Sequence, residues 1–345
     1  MAAPRTAKEA GKRMAQAGRR LDLDRAKGLA ILLVVYGHIV ARQPPSGNDW
    51  YVWSKQALYL FHMPFFMFLS GYVTWLSGAA AVLPARWPRF VAARAERLLV
   101  PFVLFGLLML AAKLAAAPFT AVDNPPDGFL GGVYGLLWDT ARSPALSIWY
   151  LAVLFVVGCL TPPLVAAAGG GLWLVALVAA VVFALPVPAV AYMDRVAGFW
   201  IFFVAGLAAA RAGPAWLAMI DRWWPAALAL LAVLCVLLAR AEGSYWTRML
   251  VCGAVALPAL HGLVRWGPLA RSSALLFLGG MSMAIYLFNT LAIGATKAVL
   301  SRALSWDGAG FLVFAPVLFA AGVLGPVAIK LLVLRRVRWL DRVTA

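Results

Sequence analysis

The chain has 345 residues, 64% of them hydrophobic and 12% charged, with a mean hydropathy of +0.88. That leaves far too little polarity for the surface of a water-soluble domain and indicates a polytopic membrane protein. The formal net charge of +17 does not indicate nucleic acid as a partner, because the lysines and arginines lie between apolar runs and form no single patch.

Residues 1–20 carry Arg5, Lys8, Lys12, Arg13, Arg19 and Arg20 against one acid, Glu9. No apolar stretch precedes Gly28, so no cleaved signal is expected, and 1–20 reads as a basic cytoplasmic tail lying near anionic lipid. A transmembrane domain is expected over 21–334, and a second basic cytoplasmic tail over 335–345. Ten spans are predicted at 26–42, 55–77, 98–117, 146–167, 171–190, 195–211, 224–240, 246–264, 274–298 and 310–334. The fold class is therefore all-α, with about ten transmembrane helices. The link between the fifth and sixth spans is so short that one of the two is expected to be tilted or re-entrant. With the N-terminus inside, 21 of the 30 lysines and arginines fall at cytoplasmic ends and 9 at the opposite side. That asymmetry places both termini in the cytoplasm. The longest connection, 118–145, contains Asp123-Asn124-Pro125-Pro126-Asp127-Gly128, a turn-rich extracytoplasmic loop, followed by an interfacial helix around Tyr134 to Trp138. Cys159, Cys235 and Cys252 sit in apolar runs without metal-ligand spacing and read as small core residues; no metal is expected.

Within the first span, Lys27 and His38 are eleven steps apart, about three turns at 100° per residue, so both point from one face roughly 16 Å apart along the axis. A cation would then stand at one mouth of the membrane and an imidazole near its middle. Titratable groups inside hydrocarbon are costly and tend to line pathways, which makes His38 a functional candidate. His62, in the second span beside Pro64, has two readings: it orients a substrate, or it satisfies backbone carbonyls freed by a proline kink. His261, near the cytoplasmic end of its span, is expected to meet headgroups. Arg94 and Arg97 lie on one helical face at i, i+3, so both can reach the same anion.

These residues carry a resemblance. Lys27-x10-His38, with Asp24 before it and Gly28 after the lysine, resembles the Arg/Lys-x10-His signature that opens the membrane-bound acyltransferase-3 family, proteins that O-acylate bacterial surface glycans. The second-span run Phe61-His62-Met63-Pro64-Phe65-Phe66-Met67-Phe68-Leu69-Ser70-Gly71-Tyr72 is similar to that family's second-helix pattern, especially in the branch related to fucose O-acetylases. Arg94-Ala95-Glu96-Arg97 resembles its Arg-x-x-Arg motif. Weaker echoes are Ser147-Ile148-Trp149-Tyr150-Leu151, Phe202-Phe203-Val204-Ala205-Gly206 and Gly280-Met281-Ser282-Met283-Ala284-Ile285-Tyr286-Leu287. Where many members have histidine after the late Tyr-Leu pair, this chain has Asn289, an amide that can bind a hydroxyl but not titrate.

The resemblance implies a multi-pass enzyme of the bacterial cytoplasmic membrane. Its donor would be acetyl-CoA or another short acyl-CoA from the cytoplasm, and its acceptor a hydroxyl of an extracytoplasmic glycan or glycolipid. An imidazole titrates near working pH and suits a general base, the role expected of His38. Lys27, Arg94 and Arg97 are the expected phosphate-binding cations. Asp24 is expected to orient Lys27; His62, Ser70, Trp149, Tyr286 and Asn289 are candidates for binding or orienting substrate. A Ser70 acyl-enzyme lacks a visibly paired base. The competing class is a glycan or lipid-linked sugar transporter or flippase, which would more often show paired halves with matching broken helices; no such symmetry is visible.

Overall fold

The computed structural model describes residues 20–41, 43–119 and 122–344, so the expected tail at 1–20 lies almost entirely outside the described residues. The first helix, α1, runs Leu21–His38 against the expected 26–42. Asp22 and Asp24 in its first turn suit the positive end of the helix dipole. At the far end the chain bends, Lys55 donates to the carbonyls of Val40 and Ala41, and Pro44-Pro45 prevents helical continuation. His38 is therefore the last residue of its helix rather than a mid-helix group.

The second span is broken into α2 (Asp49–Tyr59) and α3 (His62–Leu76), with Pro64 in the first turn of α3 where no amide hydrogen is needed. There follow α4 (Trp87–Ala116), α5 (Gly128–Leu137), α6 (Trp149–Ala167), α7 (Trp173–Ala184), α8 (Met193–Ala212), α9 (Pro214–Leu238), α10 (Tyr245–Leu263), α11 (Ser273–Leu300) and α12 (Gly310–Leu332). The short α5 stands where an interfacial helix is expected, with Tyr134 within it and Trp138 just after it exposed.

Counting α2 and α3 together, eight helical stretches among the described residues are long and apolar enough to cross a membrane. The other two of the ten expected spans are α1, whose first two turns carry Asp22, Asp24, Arg25 and Lys27, and α7. With 12 residues α7 measures about 18 Å, short of a bilayer's ~30 Å core. The chain beyond it runs extended to Ala191, where Val190 bridges Asp139 and the Thr140 hydroxyl donates to the Ala189 carbonyl at 2.9 Å. Non-helical backbone is tolerated in a membrane protein where protein groups satisfy it in this way.

Two helix pairs form the centre, α1 along α11 and α3 along α8. Each is drawn together by glycine. A methyl group at Gly28 would strike the backbone of Leu275, and one at Gly279 the carbonyl of Asp24. Gly71 meets Phe203, and Gly206 meets Phe68, in the same manner. Small residues allowing backbone-to-backbone approach are the usual means of association in lipid, where burial of apolar surface gives little drive. Phe65, Phe68, Tyr72 and Phe203 fill the space around the second pair and are fully buried. At the C-terminus, expected as a free tail, a short helix Arg338–Val343 folds back so that Lys330 Nζ reaches Asp341 Oδ1 at 2.7 Å and Thr344 Oγ1 at 2.8 Å.

Candidate active site

His38 ends α1 against α11, and its Nδ1 lies 2.7 Å from Asn289 Oδ1. Asn289 is fully buried, and its amide nitrogen donates to the carbonyls of Ile285 and Tyr286, both at 2.8 Å. The glycine contact between α1 and α11 sets the separation that makes the His38 bond fit. One turn before Asn289, the Tyr286 hydroxyl accepts the backbone N–H of Tyr150 at 3.2 Å. The Tyr150 hydroxyl bonds Ser70 on α3. Separate polar contacts thus link α1 to α11, α11 to α6 and α6 to α3 through His38, Asn289, Tyr286, Tyr150 and Ser70.

His62 occupies the break between α2 and α3. Its Nδ1 is 2.8 Å from the Leu58 carbonyl, a backbone carbonyl as in the second of its two sequence readings but not the Leu60 carbonyl that Pro64 would free, and Tyr59 packs edge-on against its ring at 4.9 Å. Tyr59 also donates to the Gly37 carbonyl at 3.2 Å, which ties the break to the residue before His38. Beside Tyr59 opens a cavity of about 360 Å³ whose lining includes Val40, Lys55, Tyr59, Tyr245 and Arg248. Among the described residues, two cations and no acid line it.

The cation candidates separate. Lys27 Nζ lies 3.5 Å from Asp24 Oδ1, the pairing expected for Asp24. Arg94 turns inward, its guanidinium over Gly158 and one nitrogen 3.4 Å from the Leu154 carbonyl, while its Nε is buried without a partner among the described residues. Arg97 points outward and is exposed. The i, i+3 spacing thus does not put the two arginines on one environment, because α6 packs against only one side of α4. Ser70 is bonded to a tyrosine and to no histidine, which leaves it without a general base. Trp149 stacks on Phe199 at 4.8 Å and lies under the Arg195 guanidinium, also at 4.8 Å.

Arg195 is a residue that the sequence reading did not single out. It rests on Trp149 and Tyr192, and its nitrogens make no hydrogen bond among the described residues. It belongs to the 9 cations assigned to the side where the charge rule disfavours them, and that placement was the available signal. His261 departs from expectation. It does not meet headgroups but is fully buried, accepting the Trp216 indole N–H on Nδ1 at 3.0 Å and turning Nε2 towards Asp22 at 3.5 Å. Asp22 is held in turn by Arg265 at 3.0 Å, and Arg265 makes two 2.7 Å contacts with Asp221.

A multi-pass helical bundle with a partly exposed histidine at the end of its first helix, bonded to an amide of α11, suits group transfer within a membrane, and the comparisons with known proteins define the group. Residues 20–331 match a family described as an acyltransferase domain, so the protein is a membrane acyltransferase. In particular, the chain belongs to the acyltransferase-3 family. It is 32% identical over 162 residues to the nodulation protein NolL of Sinorhizobium fredii, covering 42% of this chain and 43% of that one. It is 35% identical over 99 residues to the NolL of Mesorhizobium japonicum, covering 28% and 26%. The matched stretches span less than half the length of either relative. No solved structure matches the chain significantly.

Proposed function

We propose that the protein moves an acetyl or other short acyl group from cytoplasmic acyl-CoA to a hydroxyl of an extracytoplasmic glycan or glycolipid, in the bacterial cytoplasmic membrane with both termini inside. The observation that carries this reading is the His38–Asn289 bond at the end of the helix face that begins at Lys27. By alternation of the spans, the N-terminal ends of α1 and α4 share the cytoplasmic side. Lys27 and the exposed Arg97 then provide cations at one end of the bundle for the donor phosphates, and Arg94 adds its charge from the inward side, beside Leu154 and Gly158. The cavity beside Tyr59 lies at the opposite end, near His38 and His62, and is the approach for the acceptor.

In the reaction His38 removes the acceptor's hydroxyl proton as the oxygen attacks the thioester carbonyl. The carbon–sulfur bond breaks, and the imidazolium returns the proton to the departing thiolate. The acyl group crosses while coenzyme A stays on the cytoplasmic side. Transfer through Ser70 is disfavoured by its tyrosine partner.

The test uses purified full-length protein in detergent, radiolabelled acetyl-CoA and cell-envelope glycan, following label in the glycan and release of coenzyme A thiol. Replacing His38 by Ala is expected to lower turnover by about 10²–10⁴-fold, the usual share of a general base. Turnover equal to wild type in that variant removes His38 from the chemistry. Movement of glycan in sealed vesicles without acyl chemistry would instead make the protein a transporter.

A further inference from the structure

We infer that Asn289 is a positioning residue that fixes the tautomer of His38, holding hydrogen on Nδ1 and leaving Nε2 as the proton acceptor. The inference rests on the reading of His38 as the base and adds which nitrogen acts and what selects it.

Three bonds carry it. The Asn289 amide nitrogen sits 2.8 Å from two backbone carbonyls, Ile285 and Tyr286, and carbonyls only accept. Turning the amide over would set its oxygen against both of them with no hydrogen between, a large cost in a fully buried site. Oδ1 is therefore committed to the side facing His38. An amide oxygen has no hydrogen to give, so at 2.7 Å the hydrogen must come from Nδ1. A neutral imidazole carries one hydrogen, which leaves Nε2 with its lone pair. That nitrogen makes no hydrogen bond among the described residues, and the ring keeps some exposed surface. It can receive a hydroxyl.

Asn289 does this work at a distance of 251 residues in sequence, from a helix whose approach is set by Gly28 and Gly279. It touches the base and, in this geometry, not the reacting atoms. Without the amide oxygen the ring is free to rotate and to carry its hydrogen on either nitrogen, so a smaller fraction of molecules presents a base. Binding of donor and acceptor is untouched by that loss.

The test measures tautomer and turnover separately. Full-length protein labelled with 15N-histidine in detergent micelles gives the His38 nitrogen shifts, assigned by their disappearance in His38→Ala. Wild type is expected to show a hydrogen-bearing Nδ1 and a bare Nε2; hydrogen on Nε2 overturns the inference by itself. In Asn289→Leu the preference for hydrogen on Nδ1 is expected to be lost. The kcat of that variant should fall about 10- to 100-fold with KM for acetyl-CoA unchanged, the range for removing a group that orients a functional histidine. Wild-type kcat in Asn289→Leu, or a fall carried by KM alone, also overturns it. If Asn289→Leu does not fold, the wild-type nitrogen shifts still decide. The two readings fail separately: a hydrogen-bearing Nδ1 with full activity in His38→Ala removes the base and leaves the tautomer, and hydrogen on Nε2 with an inactive His38→Ala does the reverse.

Discussion

The surroundings of His38 and His261 put the same side chain to opposite uses. At the end of α1, His38 has one nitrogen bonded to a neutral amide and the other unclaimed. Near the beginning of α1, His261 has one nitrogen taken by Trp216 and the other turned to a carboxylate that Arg20 and Arg265 already hold. Four elements, α1, α3, α9 and α10, meet around His261, with Tyr72 and Phe68 packed edge-on to its ring. A buried histidine is therefore not a functional signal in itself. What separates the two is where the remaining nitrogen points: that of His261 is sealed in the protein against a carboxylate 3.5 Å away, and that of His38 faces no acid on a ring that keeps some exposed surface.

The largest expected effect contrasts the two rings directly. His38→Ala is expected to lose about 10²–10⁴-fold in turnover with little change in thermal unfolding, while His261→Ala is expected to unfold at lower temperature and keep its turnover per folded molecule. Equal behaviour of the two variants, read by light-scattering thermal melts and the coenzyme A release assay, would erase the distinction. Next is Asp22→Ala, which strands one contact of Arg265 and the hydrogen on His261 Nε2. Removing one partner of a largely buried charge cluster costs about 3–5 kcal/mol when burial is complete, and Asp22 is 12% exposed, so a loss of roughly 2–3 kcal/mol is expected in denaturant unfolding. An unchanged midpoint would reduce the cluster to surface decoration. The smallest effect is at Lys27, which shares α1 with both sites. Lys27→Ala is expected to raise KM for acetyl-CoA about 3- to 10-fold at unchanged kcat, the signature of lost ground-state binding. An unaltered KM would take Lys27 out of donor binding.

The sequence makes the helical membrane architecture and the order of the motifs plain, because apolar length and the Lys27–His38 spacing are local properties. It also offers the carbonyl reading of His62, since Pro64 advertises a break nearby. Much else depends on contacts between distant segments. That Asn289 faces His38, that Arg94 turns inward while Arg97 does not, and that His261 is buried are settled by which helix packs beside which. An irregular fifth or sixth span is expected from the short link between them; that α7 stops at Ala184 is written in Pro186 and Pro188, a signal passed over, and the bonding of the following residues to Thr140 and Asp139 shows where the chain goes. Arg195 is missed because a lone arginine at a span boundary looks like topology until Trp149 is found beneath it.

The glycine contacts limit how the bundle can breathe. Where backbone lies on backbone, between α1 and α11 and between α3 and α8, no side chain is available to swing aside, and prising those helices apart would forfeit contact along the whole seam. No such backbone seam bounds the hollow beside the separate α2 segment, whose walls are side chains, among them Lys55, Tyr59, Tyr245 and Arg248. If the proposed acceptor enters by that hollow, stapling α2 to α10 should slow large acceptors far more than small alcohols.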